Sequence, residues 1–258
     1  MILAKVTKIQ AQKRKGRYNV YLDGEYAFPV GETTLVDFRL MNGVELDDKQ
    51  IKEIQSRENI NKAYGDAVNY LSYQLRTEKE MRDYLYKKEY GSPVIYSVME
   101  RLAKLNYLDD EAYATSFINT QLNTTANGPR IIQQKMVQKG VPANIIEDKL
   151  AEVDEDRLLE NATEFASKQV RKQRHKSFQQ MMTKLKQSLY QKGYSGDIVS
   201  QAIDDLDLER DDDTEQENLV AMINKVQHRY DNPSKLINYL MTKGYRYDAI
   251  KRALSNED

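Results

Sequence analysis

Residues 185–194 read Leu185-x-x-x-Leu189-x-x-Lys192-Gly193-Tyr194, and this pattern occurs four times along a chain of 258 residues. The other copies keep the spacing: Met81-x-x-x-Leu85-x-x-Lys88-Glu89-Tyr90, Ile132-x-x-x-Met136-x-x-Lys139-Gly140-Val141 and Leu236-x-x-x-Leu240-x-x-Lys243-Gly244-Tyr245. The glycine position falls at residues 89, 140, 193 and 244, a period of 51 to 53 residues. This period predicts a tandem array of helical units, and arrays present binding surfaces more often than catalytic pockets.

The spacing within each copy predicts two helices of one unit. The apolar pair at i and i+4 marks one buried helix face, and the glycine suits the left-handed residue that ends the helix. Apolar residues six and ten positions further on, such as Val199 and Ile203, mark the buried stripe of the next helix. Because one three-helix unit contains few apolar residues, we expect stacking on its neighbours to extend the core. The helix before each copy is predicted at residues 63–74, 110–121, 156–173 and 216–229.

The first copy departs from the pattern because Glu89 replaces the glycine. We expect Gly91 to form the turn there and Ser92 to cap the next helix. Negative charge at the opening of a unit favours the positive end of its first helix. Such acidic turns occur at residues 109–110, 154–156 and 211–213.

The first 60 residues differ from the rest in having the pattern of strands. Residues 18–22 and 26–30 flank Asp23-Gly24, a strong hairpin signal, and residues 2–9 and 44–46 are further strand candidates. Helices are predicted at residues 35–40 and 48–57. The predicted fold is therefore mainly α, with tandem three-helix repeats in a curved, elongated array and a small β-rich N-terminal domain. The predicted domains are residues 1–59 (β-rich), 60–108, 109–153, 154–208 and 209–258 (repeats 1 to 4).

The composition argues against an enzyme. There is no cysteine, and the two histidines, His175 and His228, lack the spacing of metal ligands. No glycine-rich phosphate loop and no nucleophile elbow is present, so we predict no catalytic residue, no cofactor and no metal. The N-terminus does not resemble a signal peptide, and no stretch reaches the roughly 20 apolar residues that span a bilayer. We therefore expect a soluble, cytoplasmic protein that does not bind membranes.

Two charged segments are candidate binding surfaces, although 39 basic and 40 acidic residues nearly balance over the whole chain. Residues 165–196 contain no acidic residue and eight lysines or arginines, which could contact phosphates or form a solvated helix face. Residues 204–217 contain nine carboxylates. These acids could dock a basic partner or hold a hard cation, but a solvated linker with capping acids is the simpler interpretation.

Two residue types recur in ways that allow both structural and functional interpretations. The lysine of each copy would stabilise the negative end of its helix, or the four lysines could form a ladder against a periodic partner. The 18 tyrosines are either half-buried core residues or interface residues. Those of the first unit and the start of the second are Tyr84, Tyr86, Tyr90, Tyr96, Tyr107 and Tyr113.

Two stretches closely resemble the RecX family, which regulates the RecA recombinase. The first reads Val94-Ile95-x-x-Val98-Met99-x-x-Leu102-x-x-Leu105-x-Tyr107-Leu108-Asp109-Asp110-Glu111-x-Tyr113-Ala114-x-x-Phe117. The second reads Gly128-Pro129-Arg130-x-Ile132-x-x-x-Met136-x-x-Lys139-Gly140-Val141. The resemblance covers about residues 61–254, most loosely in the first and last units. The β-rich leader and the fourth unit are similar to the long form found in Gram-positive bacteria.

The resemblance implies a regulator of DNA repair, recombination and the SOS response. It would bind RecA and its filament on DNA, limit filament growth or promote disassembly, and so lower ATP hydrolysis. We expect a monomer that also binds single- or double-stranded DNA weakly. A DNA-binding protein in its own right and a scaffold for another protein are the alternatives. The candidate contacts are Arg130, Lys139, Lys168, Arg171, Lys172, Arg174, Lys184 and Lys192.

Overall fold

The structure is a computed structural model that describes residues 3–255. The chain divides into two compact units. One unit runs to Tyr113 and includes Lys139–Pro142, and the other contains Ala114–Gln138 and the chain from Ala143 onward. None of the helices in the described part of the chain is long and apolar enough to cross a membrane.

The N-terminal domain is a small antiparallel sheet, as the sequence predicts. Its strands have the spatial order β3-β2-β1-β4. Asp23 and Gly24 join β2 to β3 with φ of 52° and 93°, the left-handed conformation that a tight hairpin needs. Val6, Val20, Phe28 and Val30 form its buried core. The strands are β1 (Ala4–Ala11), β2 (Arg17–Leu22), β3 (Glu25–Gly31) and β4 (Glu45–Leu46).

The first long helix was expected as two pieces, and this prediction is wrong. One continuous helix, α2 (Asp48–Leu71), begins at a capping box between Asp47 and Gln50. Residues 58–62 contain no glycine or proline, so nothing interrupts the helix between the two predicted segments. The N-terminal half of α2 packs on the sheet through Ile54, and its C-terminal half packs on other helices through Ala63 and Ala67. A short helix, α1 (Glu32–Asp37), precedes it.

The rest of the described chain consists of three-helix sets, as predicted. The second helix of each set carries the repeated pattern, and the third follows the glycine position. The helices are α3 (Glu78–Lys87), α4 (Ser92–Lys104), α5 (Asp110–Thr124), α6 (Pro129–Lys139), α7 (Ala143–Ala151), α8 (Glu155–Gln173), α9 (Phe178–Gln191), α10 (Gly196–Asp204), α11 (Asp212–Val226), α12 (Pro233–Thr242) and α13 (Tyr247–Ser255).

Three of the sets each have an apolar cluster of their own. Helices α2–α4, α8–α10 and α11–α13 each enclose a separate cluster, built around pairs such as Leu185 and Leu189. Hydrogen bonds at helix ends, described below, join successive sets. Each of these three sets therefore has a hydrophobic core of its own.

The glycine position has the left-handed conformation in every copy. Gly140, Gly193 and Gly244 have φ of 83°, 89° and 88°, which confirms the prediction. Glu89 has φ of 63° and forms the turn of the first copy itself. The expectation that Gly91 would form this turn is wrong, because Gly91 has φ of −71° and is the N-cap of α4, one residue before the predicted cap Ser92.

Candidate partner-binding surface

Helix α8 and its C-cap residue present four of the eight predicted contacts to solvent. It buries Leu158, Ala162 and Ala166 on one face, so the cations near its C-terminus lie on the others. Lys168 is exposed and pairs with Glu164 at 2.6 Å between Nζ and Oε1. Three further cations are exposed and have no ion pair with any described residue: Arg171, Lys172 and Arg174. Their charge is therefore available to an anionic partner.

A second group of cations lines a groove between α9 and the end of α12. The groove has a volume of about 280 Å³. Lys184 and Lys243 lie on opposite sides of it, and the other lining residues are amides, hydroxyls, Met241 and Gly244, with no carboxylate among them. Lys184 was a predicted contact, and the amide residues beside it, Gln179, Gln180 and Gln187, were not.

Arg130 occupies a junction between successive sets, with an exposed side chain. Its backbone amide donates to the carbonyl of Gly193 at 3.2 Å, and that of Gly128 donates to the carbonyl of Lys192 at 2.7 Å. A Cβ atom on Gly128 would lie 2.7 Å from the carbonyl carbon of Gly193. The Gly128-Pro129-Arg130 motif thus has a structural role, because it allows two backbones to touch.

The same junction recurs at the other helix ends. The hydroxyl of Thr77 donates to the carbonyl of Lys139 at 2.6 Å, and the hydroxyl of Ser177 donates to the carbonyl of Lys243. Thr77 and Ser177 are the N-caps of α3 and α9. The helix that ends at the glycine position therefore rests on the N-terminus of the corresponding helix one set earlier.

Lys139 is occupied within the protein, unlike the cations of α8. Its Nζ lies 2.7 Å from Oε1 of Glu80 and 5.9 Å from the ring centre of Tyr113. Burial alone would lower the pKa of Lys139, but the hydrogen bonds with Glu80 and Tyr113 raise it above its ordinary value. A partner that bound Lys139 would have to replace this ion pair.

All four repeated lysines lie over aromatic rings. Nζ of Lys192 lies 5.4 Å from the ring centre of Phe165, and Nζ of Lys243 lies 5.0 Å from that of Tyr239. The ring beneath Lys88 is Tyr84, at 5.7 Å. Cation–π contacts of this kind stabilise the lysine at the helix end by roughly 0.5–1 kcal/mol at exposed sites. These contacts support the structural interpretation, and the filament ladder stays a prediction.

Two acidic side chains were missed by the sequence reasoning. Oδ1 of Asp110 accepts from the amide of Glu78 at 3.0 Å, and Oε2 of Glu215 accepts from that of Phe178 at 2.8 Å. Each carboxylate is buried and caps a helix of the preceding set. Burial raises the pKa of Asp110 above its ordinary value, against the hydrogen bond from Glu78, which lowers it. The Asp109-Asp110 pair could have indicated this, since Asp109 caps its own helix and leaves Asp110 unexplained.

Two carboxylates of the acidic run at residues 204–217, Asp211 and Glu215, cap helices. Asp211 is the N-cap of α11 and accepts from the amides of Asp213 and Thr214 at 3.3 and 3.2 Å. The hydrogen bonds from Thr214 hold the pKa of Asp211 below its ordinary value. Within residues 3–255 no group of acidic or histidine side chains could hold a metal ion. The capping that the simpler interpretation includes is therefore confirmed at these residues, and docking of a basic partner stays a prediction.

The tyrosines of the first repeat and the start of the second differ in exposure. Tyr90 and Tyr113 are buried, and Tyr84 stacks on Tyr70 with 4.0 Å between ring centres. The rest are half-exposed or more, and they are Tyr86, Tyr96 and Tyr107. The core interpretation is confirmed for the buried tyrosines, and an interface role of the exposed ones stays a prediction.

These features define the class of protein: a tandem three-helix repeat protein joined to a small β-sheet domain. Residues 4–47 match the family model described as "Regulatory protein RecX N-terminal domain". Residues 63–102 match the one described as "RecX, first three-helix domain". The second and third three-helix domains of RecX match at residues 109–150 and 155–203. The chain belongs to the RecX family.

Relatives that are named as regulatory proteins align with this chain over nearly their full length. Regulatory protein RecX of Levilactobacillus brevis is 39% identical over 260 residues, 98% of each chain. That of Limosilactobacillus reuteri is 36% identical over 99% of each chain. A crystal structure of regulatory protein RecX is 41% identical with a TM-score of 0.69, covering 78% of this chain and 100% of its own. The crystal structure of RecX from Lactobacillus salivarius is 37% identical with a TM-score of 0.57, covering 59% and 99%.

Proposed function

We propose that this chain is a non-enzymatic regulator that binds the RecA recombinase and its filament on DNA and lowers RecA ATP hydrolysis. The observation that carries the proposal is membership of the RecX family over nearly the whole chain. The exposed cations of α8 and α9 are consistent with it, because a nucleoprotein filament is strongly anionic. We place the contact at the predicted cations, which are Arg130, Lys139, Lys168, Arg171, Lys172, Arg174, Lys184 and Lys192.

The electrostatics of α8 support a contact that salt weakens. The unpaired cations Arg171, Lys172 and Arg174 lie within one turn of each other, so an anionic surface could engage them together. Desolvating an unpaired exposed cation against a phosphate or carboxylate does not require an existing ion pair to break. Lys139 and Lys168 would first have to leave Glu80 and Glu164.

The test is ATP hydrolysis by RecA on single-stranded DNA with the purified chain added. We expect inhibition at stoichiometric amounts, and the triple variant R171Q/K172Q/R174Q should require about tenfold more protein. The matched control is K49Q/K52Q/R57Q, which removes three exposed cations from α2 and should inhibit like the parent. No change in hydrolysis with the parent protein would refute the proposal.

A second candidate function is direct DNA binding by the same cations, and the acid-free residues 165–196 are the observation that favours it. In that case the chain alone should bind DNA with an affinity that falls as salt rises. Anisotropy of labelled single- and double-stranded DNA across a salt series measures this. A slope near zero, or no binding at low salt, excludes it. Capture of partners other than RecA from a nucleic-acid-free lysate would instead favour the scaffold.

A further inference from the structure

The N-terminal sheet carries a second basic segment, which the sequence reasoning did not single out. The chain has six lysines and arginines but no Asp or Glu before Asp23. Lys13, Arg14 and Lys15 form the turn between β1 and β2, where all three are exposed and lack an ion pair with any described residue. We call these three residues the hairpin tip. Arg17, by contrast, is paired with the buried Glu58.

The strand register places aromatic and amide side chains on the face of the sheet that is turned away from its core. Val6 and Val20 point into the core. On the other face Lys8 lies opposite Tyr21, and Gln10 lies opposite Asn19. Tyr26 lies opposite Tyr21 on the next strand. We call the set Lys8, Gln10, Asn19, Tyr21 and Tyr26 the outer face.

The side chains of the outer face are held in place by each other. Tyr21 donates from its hydroxyl to Oε1 of Gln10 at 3.2 Å, and Nζ of Lys8 lies 5.3 Å from its ring centre. The rings of Tyr21 and Tyr26 pack edge to face, with an angle of 77° between the ring planes and 6.0 Å between the ring centres. Tyr26 is 56% exposed and lies near the start of β3, an edge strand of the sheet. Its ring is therefore preorganised and partly open to solvent.

From this arrangement we propose that the outer face and the hairpin tip bind single-stranded nucleic acid. The tip would contact phosphates, and Tyr26 would stack on an unpaired base. Surfaces that bind single strands combine cations along the backbone with aromatic platforms for the bases. A duplex hides its base faces, so the tyrosine would contribute little to binding one. This inference concerns a different surface from the proposed RecA contact and does not rest on it.

The acidic residues near the sheet limit the size of this site. Asp23, Glu25 and Glu45 lie at the end of the sheet opposite the hairpin tip, since Glu45 pairs with Lys5 at the start of β1. Glu32 lies near the tip, where its amide donates to the carbonyl of Gly16 at 3.0 Å. We therefore expect the bound single-stranded nucleic acid to run from the hairpin tip along β1 and β2 and to end at Tyr26.

The test uses the full-length chain without RecA, so its failure is separate from failure of the proposed regulation. Binding of a fluorescent oligothymidylate and of the corresponding duplex is followed by anisotropy across a salt series. We expect tighter binding of the single strand. The tip variant K13Q/R14Q/K15Q should bind at least tenfold more weakly at low salt. Its salt slope should be shallower by up to about 2, since each lost contact to a single strand removes about 0.7.

Two control variants sharpen the result. Y26A should weaken binding by about 5- to 100-fold, as expected for the loss of one stacked base, while Y26F keeps the ring and should bind like the parent. R171Q/K172Q/R174Q makes the same change of charge on α8 and should weaken binding less than the tip variant. The inference would be overturned if the tip variant lost no more affinity than R171Q/K172Q/R174Q. It would also be overturned if Y26A bound the single strand like the parent, or if the parent preferred the duplex. All these positions are exposed, so we expect the variants to fold, and circular dichroism checks this.

Discussion

Glycine is required at the repeated position for two separable reasons, a left-handed backbone and a close contact. At Gly193 a Cβ atom would lie 2.7 Å from the amide nitrogen of Ile131, and at Gly140 it would lie 2.2 Å from Cδ of Lys79. Only the first reason applies at Glu89, which belongs to the first set and meets no earlier three-helix set. The apparent departure at Glu89 thus follows from its place in the array, and it costs only the backbone strain of a left-handed residue.

This distinction predicts the outcome of three substitutions. Gly43 has φ of 94° and open space around its Cβ position, so G43A should cost about 1 kcal/mol, the strain of a left-handed alanine. G193A adds a collision with backbone and should cost roughly 2–4 kcal/mol. E89G should stabilise the protein by about 1 kcal/mol, because glycine relieves the strain. Thermal unfolding ranks the variants, and equal losses for G43A and G193A would refute the role of close contact.

The buried tyrosines that follow the glycine position differ in the hydrogen bonding of their hydroxyls. Tyr90 donates from its hydroxyl to Oδ2 of Asp66 at 2.8 Å. Tyr194 and Tyr245 are also buried, but their hydroxyls have no hydrogen-bond partner among the described residues. We predict that Y90F destabilises the protein by about 1 kcal/mol, whereas Y194F and Y245F leave stability unchanged or raise it by a similar amount. Urea unfolding measures this, and a loss in Y194F as large as that in Y90F would contradict it.

The same hydroxyls predict a fall in stability at alkaline pH. Burial raises the pKa of Tyr194 and of Tyr245 to about 12 each. An unfolded tyrosine has a pKa of about 10. Between these values the folded state retains protons that the unfolded state loses, so their contribution is complete below pH of about 10 and is lost as the pH rises through about 12. Y194F/Y245F should show a flatter decline in melting temperature over this range, and an identical decline would refute the assignment.

At the scale of elements, the helices are stabilised by caps from two sources, their own set and the next one. Asp109 caps α5 through the amides of Glu111 and Ala112, at 2.9 and 3.0 Å. Asp110, the adjacent residue, instead reaches the first turn of α3. One dipeptide therefore stabilises two helices from different sets.

This arrangement predicts that neighbouring substitutions loosen different helices. D110A should speed amide exchange at Glu78 by about 2- to 30-fold, which corresponds to the roughly 0.5–2 kcal/mol lost with a helix cap. D109A is the matched control, and it should affect Glu111 and Ala112 while leaving Glu78 unchanged. Hydrogen exchange followed by NMR resolves the individual amides. Faster exchange at Glu78 in both variants would show that the caps do not act separately.

The elements that were predictable are those with a local cause. The i, i+4 pairs such as Leu185 and Leu189, the left-handed glycines and the Asp23-Gly24 hairpin depend on neighbours in sequence, and all of them are confirmed. The continuous α2 was missed because its two halves face different cores, so no single apolar period runs through it. The caps from Asp110 and Glu215 were missed because they act over more than 30 residues of chain. The exposure of the cations on α8 depends on which face packs, which the charge pattern alone does not specify.

At the scale of the whole molecule, α2 connects two folding cores that do not share members. The sheet core ends with Ile54, and the core of α2–α4 begins at Ile60. Glu58 belongs to the sheet side, where it accepts from the amide of Gly31 at 2.8 Å and from the hydroxyl of Thr34 at 2.6 Å. The proposed boundary between residues 59 and 60 falls within this helix and between the two cores.

Deleting residues 1–59 is therefore predicted to leave the three-helix sets folded, because every member of the α2–α4 core is retained. The cations proposed to contact RecA, from Arg130 to Lys192, are retained as well. We expect the shortened chain to inhibit ATP hydrolysis by RecA, but more weakly than the parent. If the hairpin tip binds single strands, the loss should be greatest when free single-stranded DNA is in excess. Helical circular dichroism and a dose series in the hydrolysis assay measure both expectations. Complete loss of inhibition by a folded shortened chain would place the RecA contact in the β-rich domain, and full retention would show that this domain has no part in it.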